Sequence, residues 1–428
     1  MHIVGDFHIH SRYSRATSKN MNVVDLDFWA RKKGVTVLGT GDFTHHKWLE
    51  ELEENLEPAE EGLYKLKGAS SFASSLSLRA TEDKLGTRFV LTSEISAIYS
   101  KGGKVRKVHT LLFAPSFEVV KKINGELRKI GNLHSDGRPI LGIDVKELAK
   151  IAFDASPDCM VIPAHAWTPW FSVFGSKSGF DTLEECFEEL TPYIYAIETG
   201  LSSDPAMNWR LSQLDSIALI SNSDCHSSPK IAREANVFET ELSYNGIMDA
   251  IRKKDRTRFL YTIEFFPEEG KYHYDGHRDC NVSMHPSERL ARKTNACPVC
   301  GRPLIVGVLS RVEELADRPE GFVPKDSIPF KNLIPLQEII GDVWSVGAQS
   351  KRVQKEYEKL LTELGGELTI LLQTPENELK EATTLEVAEG ISRVREGKVW
   401  IDPGYDGVYG KIHIFKEGEE PKPQKALF

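Results

Sequence analysis

Short apolar runs alternate with amphipathic stretches from residue 1 to about 265. The runs "MHIV", "VTVLGT", "RFVLTSE", "KVHTLLFA", "CMVIPAH", "YIYAIET" and "IALISNSD" have the length of buried strands. "VVDLDFWARKKG" carries a helical period and stops at Gly34, a residue suited to the left-handed position after a helix. "VKELAKIAFD" and "NGIMDAIRKK" read the same way. Strand–helix alternation of this length predicts an α/β fold on a parallel sheet, as a barrel or doubly wound. The stretch 55–87 is too long for a tight connection and is expected to be an excursion or lid.

The pattern breaks at about 266. "FFPEEGKYHYDGHRDC" is aromatic and turn-rich, and a cysteine module and the Pro-punctuated "DRPEGFVPKDSIPFKNLIP" follow it. Helical period returns in "KRVQKEYEKLLTEL" and "LEVAEGISRVREGK", and the tail "VWIDPGYDGVYGKIHIF" reads as a turn and a strand. Three domains are expected: 1–265, 266–312 and 313–428, the last mainly helical.

The totals narrow the class. At 428 residues, with 40% apolar and 27% charged positions, the chain suits a soluble protein of two or three domains. No charge-free apolar run is long enough to span a bilayer and no signal peptide is expected, which points to the cytoplasm. Six cysteines, two of them in a CxxC, suit metal binding in a reducing compartment better than a disulfide framework. The net charge of −9 argues weakly against nucleic acid, although local patches matter more than the sum.

The chemistry gathers where strands end. Residues i and i+2 of a strand share a face, so His8 and His10 of "GDFHIH" point to one side. Asp42 and His45 follow the second run and Glu94 closes the third. His109 lies in the fourth, His165 and Glu198 end the next two, and Asp224 and His226 form a second i, i+2 pair. At the C-terminal mouth of a barrel such groups converge, and imidazoles with carboxylates in one cavity make a metal site. Mixed ligands of this kind suit zinc, manganese or iron better than magnesium alone.

A second metal is expected in the cysteine module. Cys280, His285, Cys297 and Cys300 give C-x4-H-x11-C-x2-C, and "CPVCG" is a zinc-knuckle turn. Four such ligands leave no open position, so this zinc would be structural. His273 and His277 are alternatives to His285 as the fourth ligand. A redox CxxC would call for a thioredoxin-like strand–helix context, which is absent.

The HxH, a strand-end Asp, Glu and His, then "PAHAW" and "SDCH", resemble the polymerase-and-histidinol-phosphatase (PHP) superfamily over roughly residues 1–265. The resemblance implies a distorted (β/α)7 TIM-like barrel whose divalent metals hydrolyse phosphoesters. It carries His8, His10, Glu94, His109, His165, Asp224 and His226 over as ligands, with Asp224, His226, His165 and Glu94 as the catalytic set. There are departures. Asp42-Phe43 stands where the family's Thr-Asp-His motif would place a histidine, and "SRYSRAT" offers only Arg15 and hydroxyls where a further ligand is expected. His45 is the available substitute, so two metals are expected and three at most.

The whole layout, with "YHYDGHRDC…CPVCGRPLIVGV" and a helical region ending in "PGYDGVYGKIHIF", resembles the endonuclease Q family. That resemblance implies cutting of DNA on the 5′ side of uracil, hypoxanthine, xanthine and abasic sites. Trp167, Trp170, Phe171 and Phe174 follow His165 and are candidates to stack on an extruded base. His134, Asp136 and Arg138 are candidate readers of a base edge, and Arg12, Arg15, Lys19 and Arg210 are candidates for phosphate oxygens. The runs Arg289, Arg292, Lys293; Lys351, Arg352, Lys355; and Arg393, Arg395, Lys398 suit the DNA backbone. Glu198 is a further substrate-side candidate. A phosphomonoesterase and a non-catalytic DNA-binding scaffold are the rival readings. A monomer is expected, and "QKALF" is only a faint match to a sliding-clamp peptide.

Overall fold

The computed structural model describes residues 1–68, 86–416 and 418–419, so most of the 55–87 excursion and the terminal "QKALF" lie outside the described residues. The strands of the first part are β1 (His2–Asp6), β2 (Val37–Gly39), β3 (Leu56–Pro58), β4 (Tyr64–Leu66), β5 (Arg88–Lys101), β6 (Lys104–Ala114), β7 (Ile140–Leu141), β8 (Met160–Pro163), β9 (Ala196–Glu198), β10 (Ala218–Ile220), β11 (Ala235–Glu239) and β12 (Phe259–Glu264). The fold is mixed α/β, as expected, but the sheet is not all parallel. β1, β2 and β5 are parallel, as are β9 and β10. β5/β6, β6/β8, β1/β11 and β11/β12 are antiparallel.

The cause of the β5/β6 reversal is local. Gly102 and Gly103, at φ +60° and +72°, join β5 to β6 in two residues. Such a turn matches the twist of a hairpin, whereas a parallel pair needs a long crossover.

The wall closes on itself through single hydrogen bonds where ladders stop. Ala166 N–H donates to Glu198 O at 2.9 Å, linking the segments after β8 and β9. Phe7 N–H donates to Asn222 Oδ1 at 2.9 Å and His10 N–H to Cys225 O at 3.1 Å, linking the segments after β1 and β10. Ile3, Val37, Val90, Leu111, Ile162, Ala196, Ala218 and Phe238 share one buried cluster, so each wall strand contributes to a plug beneath the mouth. The connecting helices are cleanly capped. Asn22 Oδ1 accepts from Val24 and Asp25 N–H, and Gly34 at φ +83° ends helix Val23–Lys33.

Beyond the barrel, β13 (Asp275–His277) and β14 (Val282–Met284) form the hairpin of the cysteine module. The Pro-rich connection is less irregular than its sequence suggests. It contributes β15 (Phe330–Asn332), which lies parallel to β12 and extends the barrel's sheet. Helices Leu336–Val343, Lys351–Leu364, Glu367–Leu372, Glu376–Ala382 and Leu385–Arg395 follow, and β16 (Trp400–Asp402) pairs with β17 (Lys411–His413). A buried polar knot ties these helices to the barrel. Lys33 Nζ lies 2.6 Å from Glu367 Oε2, Tyr357 O–H donates to the same oxygen at 2.7 Å, and Leu336 N–H donates to Glu367 Oε1 at 3.1 Å. Among the described residues no helix is long and apolar enough to cross a membrane.

Candidate metal centre

The segment after β1 brings His8 and His10 to the mouth, and the segment after β10 brings Asp224 beside them. Glu198 holds His8 from behind: both carboxylate oxygens lie 3.0 Å from His8 Nδ1. The same carboxylate accepts from His165 N–H at 2.8 Å and Asn222 Nδ2 at 2.9 Å. Asp42 holds His10 likewise, its Oδ1 3.1 Å from His10 Nδ1, and its Oδ2 accepts from Ser11 N–H, Ser11 O–H and Ser14 O–H. Carboxylates behind imidazoles fix the tautomer and aim the other ring nitrogen. Asp42, expected as a ligand, and Glu198, expected at the substrate, therefore stand one layer back from the cavity.

The aimed nitrogens meet Glu94. Its Oε2 lies 3.4 Å from His8 Nε2 and 3.3 Å from His10 Nε2, while Asp224 Oδ1 is 3.0 Å from His10 Nε2. Its Oε1 lies 2.7 Å from His109 Nδ1 and 3.1 Å from His165 Nε2. One carboxylate thus turns an oxygen to each of two groups, His8/His10/Asp224 and His109/His165. His8 Nε2 is buried with no hydrogen-bond partner, and His109 Nδ1 stands 3.1 Å from His165 Nε2. Imidazole nitrogens and carboxylate oxygens crowded together away from water form the kind of donor set a divalent cation satisfies. The donor set fits such ions in both groups.

Electrostatics follow from burial and packing. Burial alone would depress His8 and His10, but Glu198, Glu94 and Asp224 around His8, and Asp224, Asp42 and Glu94 around His10, raise both well above the usual imidazole range. Burial would raise Glu94, yet His109, Arg138 and His8 hold it well below the usual carboxylate range. Burial likewise opposes ionisation of Asp224, and His8 and His10 override it. His109 differs. Burial holds it near 4 despite Glu94, which leaves it neutral and able to donate a lone pair.

The backbone is strained where these groups sit. Asp42, His165 and Asp224 have φ of +49°, +29° and +43°. Left-handed non-glycine residues cost about 1–3 kcal/mol each and cluster at functional sites. Gly200 makes room for one of them, because a Cβ there would lie 2.6 Å from His165 Cβ.

Other expected site residues disperse. His226 Nδ1 lies 3.0 Å from Asp224 O and its ring packs 4.4 Å from that of His10, at the edge of the first group. His45 stacks on Tyr13 at 4.6 Å and begins helix His46–Asn55, outside both groups. His134 contacts His46, Arg12 pairs with Glu51, and Arg15 pairs with Asp136. Arg210 is bound by Glu313 through two contacts, 2.6 and 2.9 Å, and ties a loop to helix Val308–Leu315. Trp167 is buried, donating to Asn208 Oδ1 at 2.7 Å, and packs on Phe174. It belongs to the core and is no platform for a base. Trp170 is 37% exposed, edge-on to Tyr272, and Phe171 packs 4.8 Å from His109. Arg138 Nη1 reaches Glu94 Oε2 at 3.1 Å, a role at the centre that the sequence reading had assigned to a base edge. The supports Ser11, Ser14 and Asn222 carried no signal beyond their nearness to the His and Asp motifs.

In the cysteine module the clustered set is His277, Cys280, Cys297 and Cys300. His285 is not in it. Its Nδ1 accepts from Ser287 N–H at the start of helix Pro286–Arg292. β13 delivers His277 because the β13–β14 turn folds Cys280 back beside it. The neighbouring Arg289, expected on DNA, is buried against Asp275 at 2.7 Å.

Comparison with known proteins agrees with this architecture. Residues 335–398 match the MJ0043 C-terminal domain family. The chain is 33% identical to an uncharacterised Methanocaldococcus jannaschii protein, MJ0043, over 269 residues, 61% of this chain but only 32% of that longer protein. It is 28% identical to Bacillus subtilis YqxK over 96% of this chain and 99% of the relative. Among solved structures, the lesion-specific endonuclease PfuEndoQ of Pyrococcus furiosus superposes with a TM-score of 0.84 at 31% identity, covering 99% of this chain and 98% of that one. An endonuclease Q bound to a 27-mer duplex with an abasic lesion at its active site gives 0.83 and 31%, covering 99% of both chains. Near-complete coverage in both directions at this identity places the chain in the endonuclease Q family.

Proposed function

We propose that this chain is a metal-dependent DNA repair endonuclease that cuts 5′ to deaminated bases and abasic sites. It is a hydrolase of DNA phosphodiester bonds, in keeping with a family of which one member holds a duplex with an abasic lesion at its active site. The observation that carries the reading is Glu94, one oxygen facing His8, His10 and Asp224 and the other facing His109 and His165. Two divalent ions, zinc, manganese or magnesium, held by these groups would activate water and stabilise the attacking and leaving oxygens.

The chain's own residues prepare that step. Glu198 and Asp42 hold the imidazoles in one orientation. Arg138, beside Glu94, keeps positive charge at the centre for a phosphate oxygen. Phe171 and Trp170, at the rim, are the remaining stacking candidates for an extruded base. A deaminated base pairs poorly with its original partner, so extruding it costs up to a few kcal/mol less than extruding a normal one.

A labelled duplex carrying one uracil, hypoxanthine or abasic site, incubated with Mn²⁺ or Mg²⁺, tests the reading. A nick 5′ to the lesion is expected, and Asp224→Ala should abolish it while duplex binding persists. Hydrolysis of a small phosphomonoester with the DNA left intact, or binding without turnover, would overturn it.

A further inference from the structure

We infer that a basic cavity beside the β5–β6 turn binds a backbone phosphate of the DNA duplex. The cavity, about 580 Å³, lies between that turn, loop 175–181 and helix Val308–Leu315. Five cations line it, Lys101, Lys104, Arg106, Lys177 and Arg311, against three carboxylates, in a chain whose overall charge is −9.

The pairing of those charges decides what they are free to do. Two of the carboxylates are paired with cations, Glu188 with Lys101 and Asp181 with Arg311, while Glu185 accepts from Asp181 N–H. Lys104, Arg106 and Lys177 have no acidic partner among the described residues. Arg106 lies flat on Phe180, 4.0 Å from the ring centre, and one guanidinium nitrogen donates to Gly179 O. Its Nε finds no acceptor, and neither does the buried Ser176 hydroxyl on the same cavity wall. Unused donors beside uncompensated cations are complementary to an anion that supplies several acceptor oxygens.

The same elements connect the cavity to the metal centre. β6 carries both Arg106 and His109, three residues apart and so on opposite faces of the one strand. The loop wall is tied to the centre too: His109 N–H donates to Phe171 O, and Ser178 O–H to Lys107 O.

This inference rests on the DNA-cutting reading above, and the test separates the two. Duplex binding by the full chain is measured against salt for wild type and for Lys104→Ala/Lys177→Ala, both exposed side chains with no packing role. The two lysines serve one phosphate, whose lost contact lowers the slope of log K against log[salt] by about 0.9, so binding about 8-fold weaker at 0.1 M salt is expected. The loss should be equal for damaged and undamaged duplexes, and the single-turnover rate at saturating DNA unchanged. Ser176→Ala, which removes a neutral donor, should weaken binding without altering the slope. An unchanged slope in the double variant, with wild type still cutting, overturns this inference alone. A wild type that binds no duplex overturns both. Millimolar inorganic phosphate that stabilises wild type but not the double variant, with the DNA slope unchanged, would make the cavity a free-anion site and overturn it as well.

Discussion

The Lys33–Glu367 contact offers the sharpest energetic test of how the C-terminal helices are held on the barrel. Both side chains are nearly sealed from solvent, 3% and 4% exposed, and the ion pair spans 2.6 Å. Lys33→Met removes the cation and leaves Glu367 buried. Breaking one side of a buried pair costs about 3–5 kcal/mol, because the orphaned charge has lost its compensation. Here Tyr357 O–H and Leu336 N–H still donate to the carboxylate, so the low end, about 3 kcal/mol, is expected. In urea, with a slope of about 3 kcal/mol per M, the midpoint should fall by about 1 M. Glu367→Gln on the Lys33→Met background removes the charge, keeps a carbonyl oxygen for Leu336 N–H and turns an amide N–H to the Tyr357 hydroxyl, which can accept it. It should recover about 2 kcal/mol, which a double-mutant cycle measures directly. A single variant costing less than about 1 kcal/mol, or a double variant no better than the single, would refute the claim that this buried charge pair ties the two parts together.

Three further outcomes follow from the site and its supports. Gly137→Ala would put a Cβ 2.2 Å from Asp42 Oδ2 and 2.4 Å from Ser14 Oγ, so nicking should fall at least ~10-fold with the circular dichroism unchanged. Wild-type activity in this variant would show that the Asp42–His10 arrangement is not needed. In the cysteine module, His277→Ala should release tightly held zinc in metal analysis as Cys297→Ser/Cys300→Ser does, while His285→Ala should retain it; the reverse pattern would restore His285 as the ligand. Burial pushes the Glu264 carboxyl up to about 8 from an ordinary value of 4.5, and burial with the nearby Glu264 charge raises Glu234 well above its ordinary range. The folded chain therefore holds protons that the unfolded chain has lost. Stability should fall as pH rises from about 4.5 to about 8, by up to about 1.4 kcal/mol per pH unit for each such proton, and Glu264→Gln should flatten that slope in pH-dependent unfolding.

Local chemistry made much of this protein legible in advance. Helix Val23–Lys33 with Gly34 behind it, helix Lys351–Leu364, and the conjunction of HxH, strand-end carboxylates and CxxC follow from period, caps and ligand type, which need only neighbours in the chain. What the chain could not show from neighbours alone is which face of a long-range pairing each group meets. Asp42 and Glu198 stand behind imidazoles rather than among the ligands because side chains 32 and 190 residues away occupy the cavity first. His277 replaces His285 because a hairpin turn decides which imidazole faces the thiolates. Glu94 reaches two imidazole groups only because antiparallel β6 carries His109 past it while the segment after β1 approaches from the other side. Residue type and spacing thus marked out the candidate metal ligands, and the family resemblance they carry pointed to a phosphoester. Strand order and register, set by packing among residues far apart in sequence, decided which side chains would hold them.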